Sequence, residues 1–220
     1  MKKLLASLSA VTLLSATIFT GVITTNAHAA SSQAYTLSQE ANGLNPKVIQ
    51  LALNGFNYAK KQGKVSKNIL TVVDYTKASK QERMYVFDLT SNTLLMKLRV
   101  AHGKNTGLDT SKHFSNKSGS SQSSLGVFTT SNTYTGKHGY SLRINGIEKG
   151  INSNAASRAI VVHSAWYMTD DFVNKYNRTG RSDGCLAVNP SYSKEFINYI
   201  KGGSVIFSYA PQENNDPNIT

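Results

Sequence analysis

Cysteine is the scarcest informative residue in this chain. Cys185 is the only one among 220 residues, so an internal disulfide is excluded, and so is any zinc signature built on paired cysteines. Acidic residues are also few. Asp and Glu number 12 against 24 Lys and Arg, giving a formal charge of +12 and a pI near 9.7. Such a balance suits anionic polymers or carboxylate-bearing substrates through long-range attraction. Nucleic acid is the other generic partner of a basic chain, but no recognisable nucleic-acid-binding module is present. Beyond Ile23 no stretch is apolar and long enough to span a bilayer, and no internal repeat is found.

What is present describes a globular protein. Apolar residues make up 40% and charged residues 16%, a foldable composition, and the length suits one ordinary domain. A chain of this size buries roughly 70% of its unfolded surface and needs no disulfide staple. Residues 1–29 read as a secretory signal peptide: Met1-Lys2-Lys3 is positive, Leu4 to Ile23 is apolar and small, and Ala27-His28-Ala29 is an A-x-A cleavage site. Ser7, Ser9, Thr12, Ser15, Thr17 and Thr20 dilute that stretch too far for a spanning helix. The mature chain is expected to start at Ala30 and to be secreted or periplasmic, with no transmembrane segment after cleavage. An unpaired thiol in an exported protein is either a reactive group, a link to another chain or a small buried hydrophobe, and its surroundings decide.

Residues 30–68 are expected to form an N-terminal extension and helix. Ser31 to Gly43 reads as polar and loosely ordered, whereas Asn45-Pro46 caps a helix carrying Val48, Ile49, Leu51, Leu53, Phe56 and Ala59 and closing at Gly63. Residues 69–210 then read mainly as strands. Ile69–Tyr75, Arg83–Leu89, Thr93–Ala101, Leu125–Thr130, Tyr140–Ile144, Arg158–His163 and Ser204–Tyr209 are rich in β-branched and aromatic residues. Arg158–His163, short and apolar, is predicted to be a central strand. Short helices are predicted after Thr169 and from Pro190 to the Gly202-Gly203 pair. The long polar segment from Gly103 to Ser124 is expected to be a functional or mobile loop, and residues 211–220 a disordered tail. The predicted fold class is mostly β within an α+β arrangement: a β-sandwich or mixed sheet with an N-terminal helix and short peripheral helices.

The chemistry converges on two residues. His163 ends a strand, and Cys185 lies within Arg181-Ser182-Asp183-Gly184-Cys185-Leu186-Ala187. A thiol becomes a strong nucleophile when an imidazole within hydrogen-bonding reach takes its proton and later returns it to the leaving amine. Gly184 allows close backbone approach, and N–H groups around the cysteine can face a developing oxyanion.

Val161-Val162-His163-Ser164 followed by Ser182-Asp183-Gly184-Cys185 resembles the catalytic signature of murein L,D-transpeptidases of the YkuD type. The blocks Ala101–Gly107, Phe114–Phe128, Thr133–Arg143 and Ser157–His163 are similar to the divergent branch of that catalytic-domain family. The likeness runs from about Thr71 to Tyr209. It implies an L,D-transpeptidase-like fold, with Cys185 as nucleophile, His163 as base and the Ser164 carbonyl orienting the imidazole. It also implies an oxyanion site from the Gly184 and Cys185 N–H groups, with Ser182 holding the loop or touching substrate. Two departures stand out: Asp183 replaces the histidine of the best-known S-H-G-C motif and Ala187 its following polar residue, while Leu186 stands where the divergent branch has Pro. Asp183 either raises the thiol pKa or points into solvent.

The implied reaction is acyl transfer on a peptidoglycan stem peptide, with release of D-Ala and capture by an amine, giving a 3-3 crosslink or attachment of a wall acceptor protein. Capture by water, an L,D-carboxypeptidase or amidase, is the alternative enzyme reading, and an inactive wall-binding module is the alternative outside enzymology. Arg181, Asp183, His138 and Trp166 are candidates for substrate contact, with Tyr167 beside Trp166 and Arg158 among further arginines. No cofactor is required, and the spacings of His102, His113 and His138 name no metal ligands.

Overall fold

The computed structural model describes residues 32–220. The signal peptide assigned to residues 1–29 lies outside the described residues. Four α-helices and eight strands follow in order. The helices are α1 (32–41), α2 (Pro46–Lys61), α3 (Asp170–Tyr176) and α4 (Pro190–Ile200). The strands are β1 (Ile69–Asp74), β2 (Met84–Asp88), β3 (Thr93–Leu98), β4 (Gly126–Gly136), β5 (Gly139–Gly146), β6 (Val161–Ser164), β7 (Leu186–Val188) and β8 (Val205–Tyr209).

All eight strands join one mixed sheet, ordered β3-β2-β1-β8-β4-β5-β6-β7. This is the mixed-sheet form of the expected α+β class, not two packed sheets. Strand alternation sorts side chains onto two faces. Leu70, Val72, Val205 and Phe207 point to the face covered by α1 and α2, while Val73, Ile206, Phe128 and Val162 meet Phe196, Ile197 and Ile200 of α4 on the other. Each large apolar side chain so buried contributes about 1.5–3 kcal/mol. α2 begins as its sequence requires: the Asn45 side chain accepts from the Lys47 N–H, and Pro46 fills the first turn.

Three expectations are corrected. The segment 32–41 is helical rather than loose, because Ala34, Leu37 and Ala41 form a short buried stripe against the core. The tail after Pro211 is ordered as a 3-10 turn over Pro211–Asn215, and Ile219 is buried against α2's cluster. Arg158–His163 is not central. Its strand begins at Val161 and lies one place from the sheet edge, between β5 and β7, while β8 and β4 hold the middle.

Candidate active site

β6 and β7 run parallel, with His163 opposite Ala187 and Val162 opposite Leu186. This register brings the end of β6 beside the start of β7, and Cys185 immediately precedes β7. Both His163 and Cys185 line one cleft of about 590 Å³. The walls also carry His138, Tyr167, Arg158 and Arg181, with Lys104, Lys137 and Asp183 around them. Four cationic side chains against one carboxylate make the cleft basic, suited to an anionic ligand.

The turn holding the thiol is tied down residue by residue. The Ser182 N–H donates to the His102 carbonyl at 3.0 Å, and Lys104 N–H to the Ser182 carbonyl at 2.7 Å. The Ser182 hydroxyl donates to the Cys185 carbonyl at 2.7 Å and accepts the Gly184 N–H at 3.1 Å. Gly184 sits at φ +122°, where a Cβ would lie 2.8 Å from the Gln122 carbonyl and 2.9 Å from Ile160 Cδ1, so only glycine fits. The Cys185 thiol donates to the Ala159 carbonyl at 3.6 Å. Ala159 presents that carbonyl from the left-handed region, at φ 54°, a strained conformation for alanine.

His163 is buried, and its Nδ1 lies 2.8 Å from the Ser164 carbonyl. A carbonyl only accepts, so Nδ1 carries the proton and Nε2 keeps its lone pair. Burial pushes the imidazole below its ordinary 6.5, opposed by the Ser164 hydrogen bond and reinforced by His138 and Lys137. The His138 ring stacks on it at 4.3 Å. Burial likewise pushes the Cys185 thiol up; Asp183 raises it further, whereas a Val161 backbone hydrogen bond, Arg158 and Lys137 lower it. Both shifts favour the neutral thiol and the neutral imidazole near neutral pH.

The remaining candidates divide. Gly184 does not offer a free oxyanion donor, because its N–H is spent on Ser182; its contribution is conformational. Asp183 points outward into an ion pair with Lys104 at 2.7 Å and accepts from Ser121. Arg181 lines the cleft while donating to the Lys104 and Gly107 carbonyls. Trp166 is 72% exposed and packs on Tyr167 and Phe172 outside the lining; Tyr167 is the aromatic wall. Arg158 is a brace and not a free carboxylate receptor: its guanidinium donates to the Ser115 and Gln122 carbonyls and the Ser120 and Ser124 hydroxyls. It thereby anchors the 103–124 segment beside Cys185. Lys104, Lys137 and Ala159 were not singled out from sequence, since isolated lysines and an alanine carry no spacing signal.

One group of possible metal ligands occurs among the described residues, Glu148, Glu213 and Asp216, and none of them lines the cleft. Such a group has no signature in His and Cys spacing. These acids are up to 68 positions apart, and only the fold brings them together.

The sequence model of the L,D-transpeptidase catalytic domain family, YkuD_2, matches residues 40–209, and the chain belongs to that family. No curated protein matches it. Among solved structures, it is similar to an L,D-transpeptidase from Mycobacterium smegmatis at 15% identity, over 65% of this chain and 59% of that one, with a TM-score of 0.41. An L,D-transpeptidase from Mycobacterium tuberculosis H37Rv matches at 14% identity over 65% and 58%, TM-score 0.38. One from Enterococcus faecium matches at 13% over 66% and 50%, TM-score 0.37. The chain thus spans 50% to 59% of the length of these three proteins. Among the described residues no helix is long and apolar enough to cross a membrane.

Proposed function

We infer that the protein is an exported cysteine acyltransferase acting on peptidoglycan stem peptides in the bacterial cell envelope, with Cys185 as nucleophile and His163 as base. The observation that carries this reading is the lone thiol sharing one cleft with a buried imidazole, whose Nδ1 is fixed on the Ser164 carbonyl at 2.8 Å. Nε2 takes the thiol proton as sulfur attacks the carbonyl carbon of the third stem residue. The tetrahedral oxyanion is met by the Cys185 N–H, the member of the expected donor pair that Ser182 does not occupy. The C–N bond breaks, the imidazolium returns its proton to the departing D-Ala amine, and a thioester remains. An acceptor amine then displaces the thiol, giving a 3-3 crosslink or a protein attachment. The basic rim suits the stem's carboxylates.

Purified chain starting at residue 30 is incubated with disaccharide-tetrapeptide muropeptides and analysed by mass spectrometry. Crosslinked dimers with released D-Ala are expected from the wild type, and Cys185→Ala reduces them by at least about a thousandfold. Tripeptide monomers alone identify water as the acceptor. Unchanged muropeptides, with wild type and variant both retained on sacculi, make the protein a wall-binding module.

A further inference from the structure

Three carboxylates outside the cleft are buried together. Glu148 follows β5, while Glu213 and Asp216 lie in and just after the C-terminal 3-10 turn; they are 0%, 3% and 4% exposed. One oxygen from each lies within 4.8 Å of the others. Part of the group is well held. Glu148 Oε2 accepts the Val127 N–H and the Asn152 Nδ2, and Asp216 Oδ1 accepts the Asn218 N–H and Nδ2, each at 2.9 Å. The other oxygens are not: Glu148 Oε1, Glu213 Oε2 and Asp216 Oδ2 are fully buried without a hydrogen-bond partner.

Among the described residues no basic side chain forms an ion pair with them. The two ion pairs among the described residues, Arg99–Asp170 and Lys104–Asp183, lie elsewhere. A chain with twice as many basic as acidic residues therefore packs three acids against one another. Buried unpaired carboxylates are costly, and orphaned buried oxygens in a folded protein call for a ligand or a proton. Burial pushes the Glu148 and Glu213 carboxyls well above the usual carboxylate range; a carboxyl–carboxylate contact with Asp216 and repulsion from both neighbours raise Glu148 further, and repulsion from Asp216 raises Glu213.

The donor set identifies the ligand class. Three carboxylate oxygens with no sulfur or imidazole suit hard cations rather than zinc or copper. The three oxygens lie within 4.8 Å of one another, close enough for one ion to reach all of them, and calcium accepts several carboxylates at once, whereas magnesium keeps most of its waters and takes one or two. The backbone is also cut to fit. Gly126 sits at φ +87°, and a Cβ there would meet Glu148 Oε2 at 2.1 Å. We propose that Glu148, Glu213 and Asp216 form a structural calcium site, joining the C-terminal turn to the segment that follows β5. That segment also carries Asn152, whose Nδ2 holds the Leu125 and Val127 carbonyls, and Arg158 and Ala159, which border the cleft. The site rests on this geometry and is independent of the reaction assigned to Cys185.

The test uses the full mature chain after exhaustive dialysis against EGTA. Calcium chloride is titrated by isothermal calorimetry, and melting is followed with and without millimolar calcium. One-to-one saturable binding is expected. At a hundredfold excess over Kd, the melting temperature rises by roughly 5–10 °C. Glu213→Gln and Asp216→Asn lose that response, whereas the exposed control Asp171→Asn keeps it. Glu213→Gln removes a buried repulsion, so without calcium it melts no lower than the wild type, which separates lost binding from misfolding. Absence of saturable heat and of any calcium-dependent shift in the wild type overturns the proposal in favour of shared protons. An undiminished shift in Glu213→Gln overturns it too, because calcium then binds elsewhere.

Discussion

Arg83 and Glu148 are both completely buried, yet their surroundings treat charge in opposite ways. Around Arg83, Nε and Nη2 both donate to the Val100 carbonyl, Nη1 donates to the Lys77 carbonyl, and Nη2 donates to His102 Nδ1 at 2.8 Å. The Tyr75 ring lies 5.0 Å from the guanidinium. His102 can accept because burial and Arg83 itself push it down to about 4, leaving it neutral. Arg83, lowered only to about 10, stays charged. The guanidinium is thus hydrogen-bonded only to neutral groups, while Asp109 and Asp74 lie near enough to favour its charge. The acid cluster has fewer donors than oxygens, and compact carboxylates repel one another more strongly than dipoles can offset. The difference between the two regions is the reason to look for a cation in one and not for an anion in the other.

The largest effect is expected where the satisfied side of this comparison is broken. Arg83→Ala leaves the Val100 and Lys77 carbonyls and His102 without their donor and opens a cavity, costing about 4 kcal/mol, or roughly 8–16 °C in melting temperature. Arg83→Lys recovers less than half, because an ammonium cannot reproduce the fork on Val100. Thermal melts of both variants check this. A melting temperature within a degree or so of wild type for Arg83→Ala would mean the guanidinium is no better matched than the acids.

Neither buried centre was legible in the sequence, although most of the frame around them was. The capped α2, the β2–β3 hairpin and the short apolar strands write their periodicity directly into neighbouring residues. Cys185 and His163 stood out because one is unique and the other ends a strand, and a known motif order joins them. Arg83, Arg158 and the acid cluster differ: their meaning lies in partners dozens of positions away. An arginine whose donors end on the Ser115 and Gln122 carbonyls looks, in sequence, like any surface arginine. α1 was missed for a related reason: Ala34, Leu37 and Ala41 form too weak a stripe to read until the core they pack on is known.

A smaller effect is expected at the dyad, where burial is used to tune a pKa. In the proposed reaction His163 takes the thiol proton as a neutral imidazole, so kcat/KM is expected to fall as pH drops through its pKa. Burial, His138 and Lys137 hold that value below 6.5, which extends activity toward acid. His138→Ala removes both a neighbouring charge and the ring that covers His163 at 4.3 Å, and both changes raise the His163 pKa. The acid limb of kcat/KM in the muropeptide assay should therefore move to higher pH. An unmoved limb would show that His138 shapes the cleft without tuning the base.

The smallest effect belongs to Asp183, the residue that replaces the motif histidine. Its carboxylate is drawn below the usual range by Lys104, so it is ionised at neutral pH, and it adds to the burial that holds the Cys185 thiol up. The pair with Lys104 is solvent-exposed, at 75% and 55% for the two side chains, so water screens much of its influence. Asp183→Asn removes the negative charge and leaves Lys104 uncompensated, and both changes favour the thiolate. At mildly alkaline pH, iodoacetamide should alkylate Cys185 about two- to threefold faster in the variant, because more of the thiol is ionised. The same substitution leaves the Ser182 bonds to Gly184 and to the Cys185 carbonyl intact, so a slower reaction would place the role of Asp183 in the shape of the turn and not in its charge.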